Sequence, residues 1–78
     1  MRYLFFSSQH CKPCQILKPR ILKHPEIAII DVDKHGEKAV KYGIMSIPVV
    51  IALDGGDIVE YQISGSRISK WLDETFKE

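Results

Sequence analysis

Cysteine is scarce in this chain, with two among 78 residues. That excludes the multiple-bridge framework on which small secreted domains rely. An excess of charge of either sign is also missing, because eleven Lys and Arg face ten Asp and Glu. A balanced surface gives no electrostatic basis for a nucleic-acid partner or an anionic membrane. No apolar run nears the length of a membrane span. The run that opens the chain, Tyr3 to Phe6, is too short for the apolar segment of a secretory signal. No low-complexity or strongly polar tract points to disorder. These absences lead to the expectation of one small domain over residues 1–78, monomeric and cytoplasmic, with a limited core.

What is present reads as alternating strands and helices. Arg2 to Phe6 is a short, continuously apolar strand, the pattern of a strand buried on both faces. Pro13 suits the first turn of a helix, where a missing N–H costs nothing. Cys14, Leu17, Ile21 and Leu22 follow near helical spacing, with Pro19 inside and Pro25 as the stop near Lys23 and His24. Ile27 to Val32 is a β-branched second strand. Glu37 to Tyr42 predicts a brief helix with Ala39 and Val40 inward and Gly43 as its cap. Val49 to Leu53, the Asp54 to Asp57 turn and Ile58 to Ile63 predict an antiparallel hairpin with the last strand at an edge. After Gly65, Ser66 is an N-cap candidate, and Ile68, Trp71, Leu72 and Phe76 form one apolar stripe. The order is βαβαββα, an α/β fold with one four-stranded mixed sheet and helices on both faces.

Both cysteines lie in Ser8-Gln9-His10-Cys11-Lys12-Pro13-Cys14-Gln15. On this layout Cys11 sits at the N-terminal edge of the first helix, with Cys14 one turn in. The helix N-terminus and the Lys12 charge favour a thiolate at Cys11, with His10 a second nearby cation when protonated. The thiolate is the attacking species in disulfide exchange, so Cys11 is the candidate nucleophile and Cys14 the resolving partner. Three other uses of the pair stay open. A closed structural zinc site needs four ligands, and beyond the cysteines the soft candidates are His10, His24 and His35. A cluster shared between chains is another. Two inert core cysteines are the third.

The Cys11-Lys12-Pro13-Cys14 motif resembles the active site of the thioredoxin family. Pro19 stands where that family has a proline five residues after the second cysteine. Lys41-Tyr42-Gly43-Ile44-Met45-Ser46-Ile47-Pro48 is similar to the family's K-Y-G-I-x-x-I-P run, whose proline is cis and packs on the disulfide. Gly56 and Gly65 match the glycines of the hairpin turn and of the approach to the last helix. The resemblance covers nearly the whole chain but lacks the family's first strand and helix. It implies a minimal thioredoxin fold and a reductant of protein disulfides. It implies no prosthetic group beyond the cysteines themselves. Disulfide-containing proteins and an electron donor, either thioredoxin-reductase-like or the glutathione system, are the implied partners. The implied substrate groove comprises His10, Lys12, Pro13, Ile47, Pro48 and Gly65, flanked by Ser46 and Ser64.

Four departures stand out. His10 and Lys12 replace the tryptophan and glycine of the family's W-C-G-P-C. Phe5 stands where the family carries a buried aspartate that takes the proton of the second cysteine. Ile29 stands where that aspartate's lysine partner falls. The route by which Cys14 loses its proton is therefore open. Lys12 and His10, with Pro13, are the expected tuners of redox poise. A glutaredoxin-like, glutathione-coupled enzyme is the second functional expectation, and a metal carrier or non-catalytic interaction module the third.

Overall fold

A computed structural model describes residues 1–77. The elements are β1 (Arg2–Ser7), α1 (Lys12–Ile21), β2 (Ile27–Asp31), α2 (Gly36–Lys41), β3 (Val49–Leu53), β4 (Val59–Ser64) and α3 (Arg67–Phe76). The strands form one sheet in the order β2-β1-β3-β4. β1 runs parallel to β2 and antiparallel to β3, and β4 is antiparallel to β3.

The two central strands are the two most apolar ones. Leu4, Phe5 and Phe6 of β1 and all five residues of β3 are buried. Their alternate side chains feed two cores, as the two-residue period of a strand requires. On one face Phe5, Ile27 and Val50 pack against Cys14 and Ile21 of α1 and Ile68, Trp71 and Leu72 of α3. On the other, Leu4, Phe6, Ile30, Val49, Ile51 and Leu53 are met by Ala39, Tyr42 and Ile44 in and after α2.

Several boundaries and faces differ from expectation. β1 continues to Ser7, which pairs with Asp31, and β2 stops there, short of Val32. α1 starts at Lys12 and stops at Ile21, so Leu22 is the C-cap and lies 64% exposed, outside the apolar stripe. α2 begins one residue earlier than expected, and Val40 is 81% exposed rather than inward. A helix of six residues presents too narrow a face for both Ala39 and Val40, and Tyr42 takes the second inward place against Phe6. Gly43 follows the helix at φ +65°, the left-handed conformation glycine adopts at low cost. β4 begins at Val59 because the ladder shifts register. Ala52 faces Tyr61 while Leu53 faces Val59, which leaves Glu60 as the extra residue of a bulge. Ser66 is the N-cap of α3 by position, but its side chain makes no capping hydrogen bond.

Candidate functional site

The β1–α1 junction places the two cysteines in unlike surroundings. Cys11 is the N-cap of α1, in extended backbone conformation, and is partly exposed. Its carbonyl accepts the Gln15 N–H at 3.1 Å, and its Sγ accepts the Cys14 N–H at 3.3 Å. Pro13 fills the first turn, where an N–H has no helical partner. Cys14, one turn on, is fully buried in the core with Phe5 and Ile68. The two are joined as a disulfide with Cα atoms 5.2 Å apart, within the ordinary span of such bridges.

A groove of about 500 Å³ opens beside the bridge, lined by Lys12, Pro13, Ile16, Leu17, Ile47, Pro48, Gly65 and Ser66. The Ile47–Pro48 peptide is cis. The Gly65 N–H donates to the Pro48 carbonyl at 3.0 Å, tying the start of β3 to the turn before α3. Gly65 itself sits at φ +61°. Of the expected groove residues, Lys12, Pro13, Ile47, Pro48 and Gly65 are brought together. His10 and Ser64 are exposed and outside the lining, and Ser46 lies in a second depression with Val32, Ala39, Ile44 and Met45, which Ile47 also lines. The chain bends at Ser46, Ile47 and Pro48 ahead of β3, which leaves Ser46 with the residues around α2 while Ile47 reaches both depressions.

Ile16, Leu17 and Ser66 were not anticipated. Ile16 is 75% exposed. The sequence carried a signal for it: an apolar residue off the Cys14, Leu17, Ile21 stripe, two positions after Cys14. A large exposed aliphatic beside reactive chemistry suits a contact surface better than a core.

The chain's substituted pair lies directly beneath the site. Phe5 is fully buried, and Ile29 is its register partner across β1 and β2. Both pack into the cluster that holds Cys14. Apolar packing thus occupies the space below Cys14. Among the described residues, no group of three or more His, Cys, Asp or Glu is placed to hold a metal ion. None of their helices is long and apolar enough to cross a membrane.

No family model matches the chain. It is 33% identical over 79 residues to thioredoxin 2 of Chlorobaculum tepidum, a match spanning 88% of this chain and 72% of that protein. The chain belongs to the thioredoxin family. Mouse mitochondrial thioredoxin is 36% identical over 62 residues, which are 70% of this chain and 37% of the mouse protein. The chain therefore spans little more than a third of that relative's length. Among solved structures, Schistosoma mansoni thioredoxin superposes with a TM-score of 0.80 at 30% identity, over 96% of this chain and 75% of that one. The thioredoxin fold is thus present in four strands and three helices.

Proposed function

We propose that this thioredoxin-family chain is a thiol–disulfide oxidoreductase that reduces protein disulfides through Cys11 and Cys14. The observation that carries the proposal is the asymmetry of the pair: Cys11 at a helix N-cap with its sulfur toward a backbone N–H, and Cys14 buried one turn below. In the reduced protein the helix N-terminus and Lys12 favour the thiolate at Cys11, while burial favours the thiol at Cys14. The Cys11 thiolate attacks one sulfur of the substrate disulfide, and the other sulfur leaves and takes up a proton. Cys14 then loses its proton and attacks Cys11 Sγ. The second substrate thiol departs, and two electrons have passed from the cysteine pair to the substrate. An external donor, a thioredoxin-reductase-like enzyme or the glutathione system, restores the dithiol.

The groove is the proposed peptide site. Ile16, Leu17, Ile47 and Pro48 give it an apolar wall, and the Ile47 backbone beside the cis Pro48 is the place for pairing with an extended substrate peptide. Lys12 and Pro13 at its rim tune the poise of Cys11. His10 acts from outside the groove when protonated. No resident cofactor is needed, since the cysteines carry the electrons. Residues 1–78 act as one domain and as a monomer in the cytoplasm.

Reduction potential and trapping test the proposal. The pair should equilibrate reversibly with defined thiol–disulfide buffers at roughly −270 mV, the range of reducing thioredoxins, and a value about −200 mV points to glutathione coupling instead. Cys14→Ser should accumulate a mixed disulfide with substrate, and Cys11→Ser should form none. Equal trapping by both variants, or no reversible two-electron couple, refutes the proposal.

A further inference from the structure

We propose that Ser8 and Asp33 form a positioning pair that holds Cys11 in its attacking place, an inference that rests on the dithiol function proposed above. Ser8 is 7% exposed, one of two buried polar residues among the described residues, and lies at the turn between β1 and Cys11. Four hydrogen bonds converge on it. Its hydroxyl donates to Asp33 Oδ2 at 2.7 Å and accepts the His10 N–H at 3.1 Å. Its carbonyl accepts the Cys11 N–H at 3.2 Å and the Gln15 side-chain amide at 2.8 Å. Asp33 lies in the connection between β2 and α2, 25 residues away in sequence. Asp33 is itself steadied by its N–H, which donates to Asp31 Oδ1 at 2.9 Å.

The Ser8 side chain therefore fixes the turn to a neighbouring connection, and its main chain fixes Cys11 and the first turn of α1. A nucleophile's rate falls steeply with small misplacements. Cys11 keeps its Sγ on the Cys14 N–H only while its own backbone is held. Releasing Ser8 from Asp33 frees the turn on its outer side and widens the range of Cys11 positions. The thiolate then loses part of its stabilisation by the helix N-terminus, which acts only over the first turn.

Charge and hydrogen bonding make opposite predictions at Asp33, which separates the two. Removing a negative charge near Cys11 favours the thiolate and should speed attack. Removing the acceptor should slow it. Asp33→Asn removes the charge and keeps an acceptor oxygen, while Asp33→Ala removes both. The full chain is reduced, and its attack on a small aromatic disulfide is timed at fixed pH below neutrality. The thiolate absorbance of Cys11 and the urea midpoint from Trp71 fluorescence are followed in parallel. Asp33→Ala and Ser8→Ala should each slow attack by about tenfold and lower the thiolate fraction, and the double variant should slow it no further. Asp33→Asn should stay within a few-fold of the parent or exceed it. Asp33 is exposed, so its variants fold even where Ser8→Ala does not. The proposal is overturned if Asp33→Asn slows attack as much as Asp33→Ala does, or if Asp33→Ala does not slow it. It is equally overturned if the variants shift the urea midpoint and leave rate and thiolate fraction alone. Failure of the unsubstituted chain to show a reversible two-electron couple removes the dithiol function and this inference together, and is seen before any variant is made.

Discussion

Replacing Phe5 by aspartate restores the residue type that the family places beneath its second cysteine, and should nearly unfold this chain at neutral pH. Phe5 is fully buried among Cys14, Ile21, Val50, Ile68 and Leu72. Truncating such a phenylalanine costs about 3–5 kcal/mol, and an unpaired carboxyl group in its place adds about 1–3 kcal/mol. A domain of this size has a total stability of about 4–12 kcal/mol. The loss is therefore comparable with the whole. The pH dependence has a definite sign. Burial holds the new carboxyl group protonated in the folded state, so its folded pKa lies above the unfolded value of about 3.9. Below that value both states bind the proton and ionisation adds no penalty. Above it the unfolded state ionises first, and stability falls by about 1.4 kcal/mol per pH unit until the folded pKa is reached. Urea unfolding of oxidised Phe5→Asp, followed by the fluorescence of Trp71, the single tryptophan, should give a higher midpoint near pH 4 than at pH 7. Phe5→Leu is the control and should cost about 1–2 kcal/mol with no such dependence. Adding Ile29→Lys across the register should recover part of the loss, because the two positions face each other on β1 and β2. A Phe5→Asp protein that loses under about 2 kcal/mol at pH 7, or whose midpoint ignores pH, refutes the reading that apolar packing fills this space.

Two further outcomes are expected. Lys12→Gly removes the positive charge beside Cys11, destabilises the reduced form and should lower the reduction potential by roughly 5–20 mV, a small shift because Lys12 is solvent-exposed; thiol–disulfide equilibration that returns an unchanged or higher potential contradicts it. Asp57 accepts hydrogen bonds from Lys41 Nζ and the Tyr42 hydroxyl, each at 3.1 Å, and these partners, Lys41 first, hold its carboxyl below the usual range. A depressed folded pKa contributes stability above the unfolded value of about 3.9 and loses it as pH falls through the folded one. The same pair raises Lys41, whose contribution holds below its unfolded value of about 10.4 and fades above the folded one. The small urea-midpoint gap between the parent and Asp57→Asn should therefore be widest near neutrality and close in acid, and a gap that persists unchanged at about pH 2 speaks against the ion pair as its source.

The sheet was legible because its signals are local. The unbroken apolar runs of β1 and β3 can only be central strands, and the turn between β3 and β4 is written in Asp54-Gly55-Gly56-Asp57. The cysteine site was legible for a similar reason: Pro13 and the change from strand to helix locate an N-terminus at Cys11. What escaped was set by distance and by length. Val40 and Ala39 both fit an inward pattern, and only the six-residue length of α2 decides between them. The bulge at Ala52 and Leu53 leaves no mark on alternation until the strands are paired. Ser46 and Ile47 are neighbours in sequence and share one depression, yet only Ile47 also reaches the groove beside the disulfide, a difference set by the bend ahead of β3 that no residue pattern marks. Ser8 drew no notice, since a serine at a strand end is ordinary and its partner Asp33 is remote in sequence.

The substitutions at Phe5 and Ile29 bear on how the chemistry is divided between the cysteines. A buried carboxylate and lysine need each other, and together often contribute no more stability than apolar residues of like volume. In a chain with so small a core, packing Phe5 and Ile29 together avoids the desolvation of two charges. The consequence falls on Cys14, which has Phe5 beside it in place of a proton acceptor. Its thiol then stays protonated until a base reaches it from the open side of the bridge, where the Cys11 sulfur lies. In the resolving step Cys14 attacks Cys11 Sγ, the substrate sulfur leaves as a thiolate, and the proton that Cys14 gives up passes to a base on the open side of the bridge. On that account the resolving step should slow as buffer bases are removed at constant pH, while the first attack by Cys11 should not. Timing mixed-disulfide decay at two buffer concentrations decides it, and equal decay rates place the proton acceptor inside the protein.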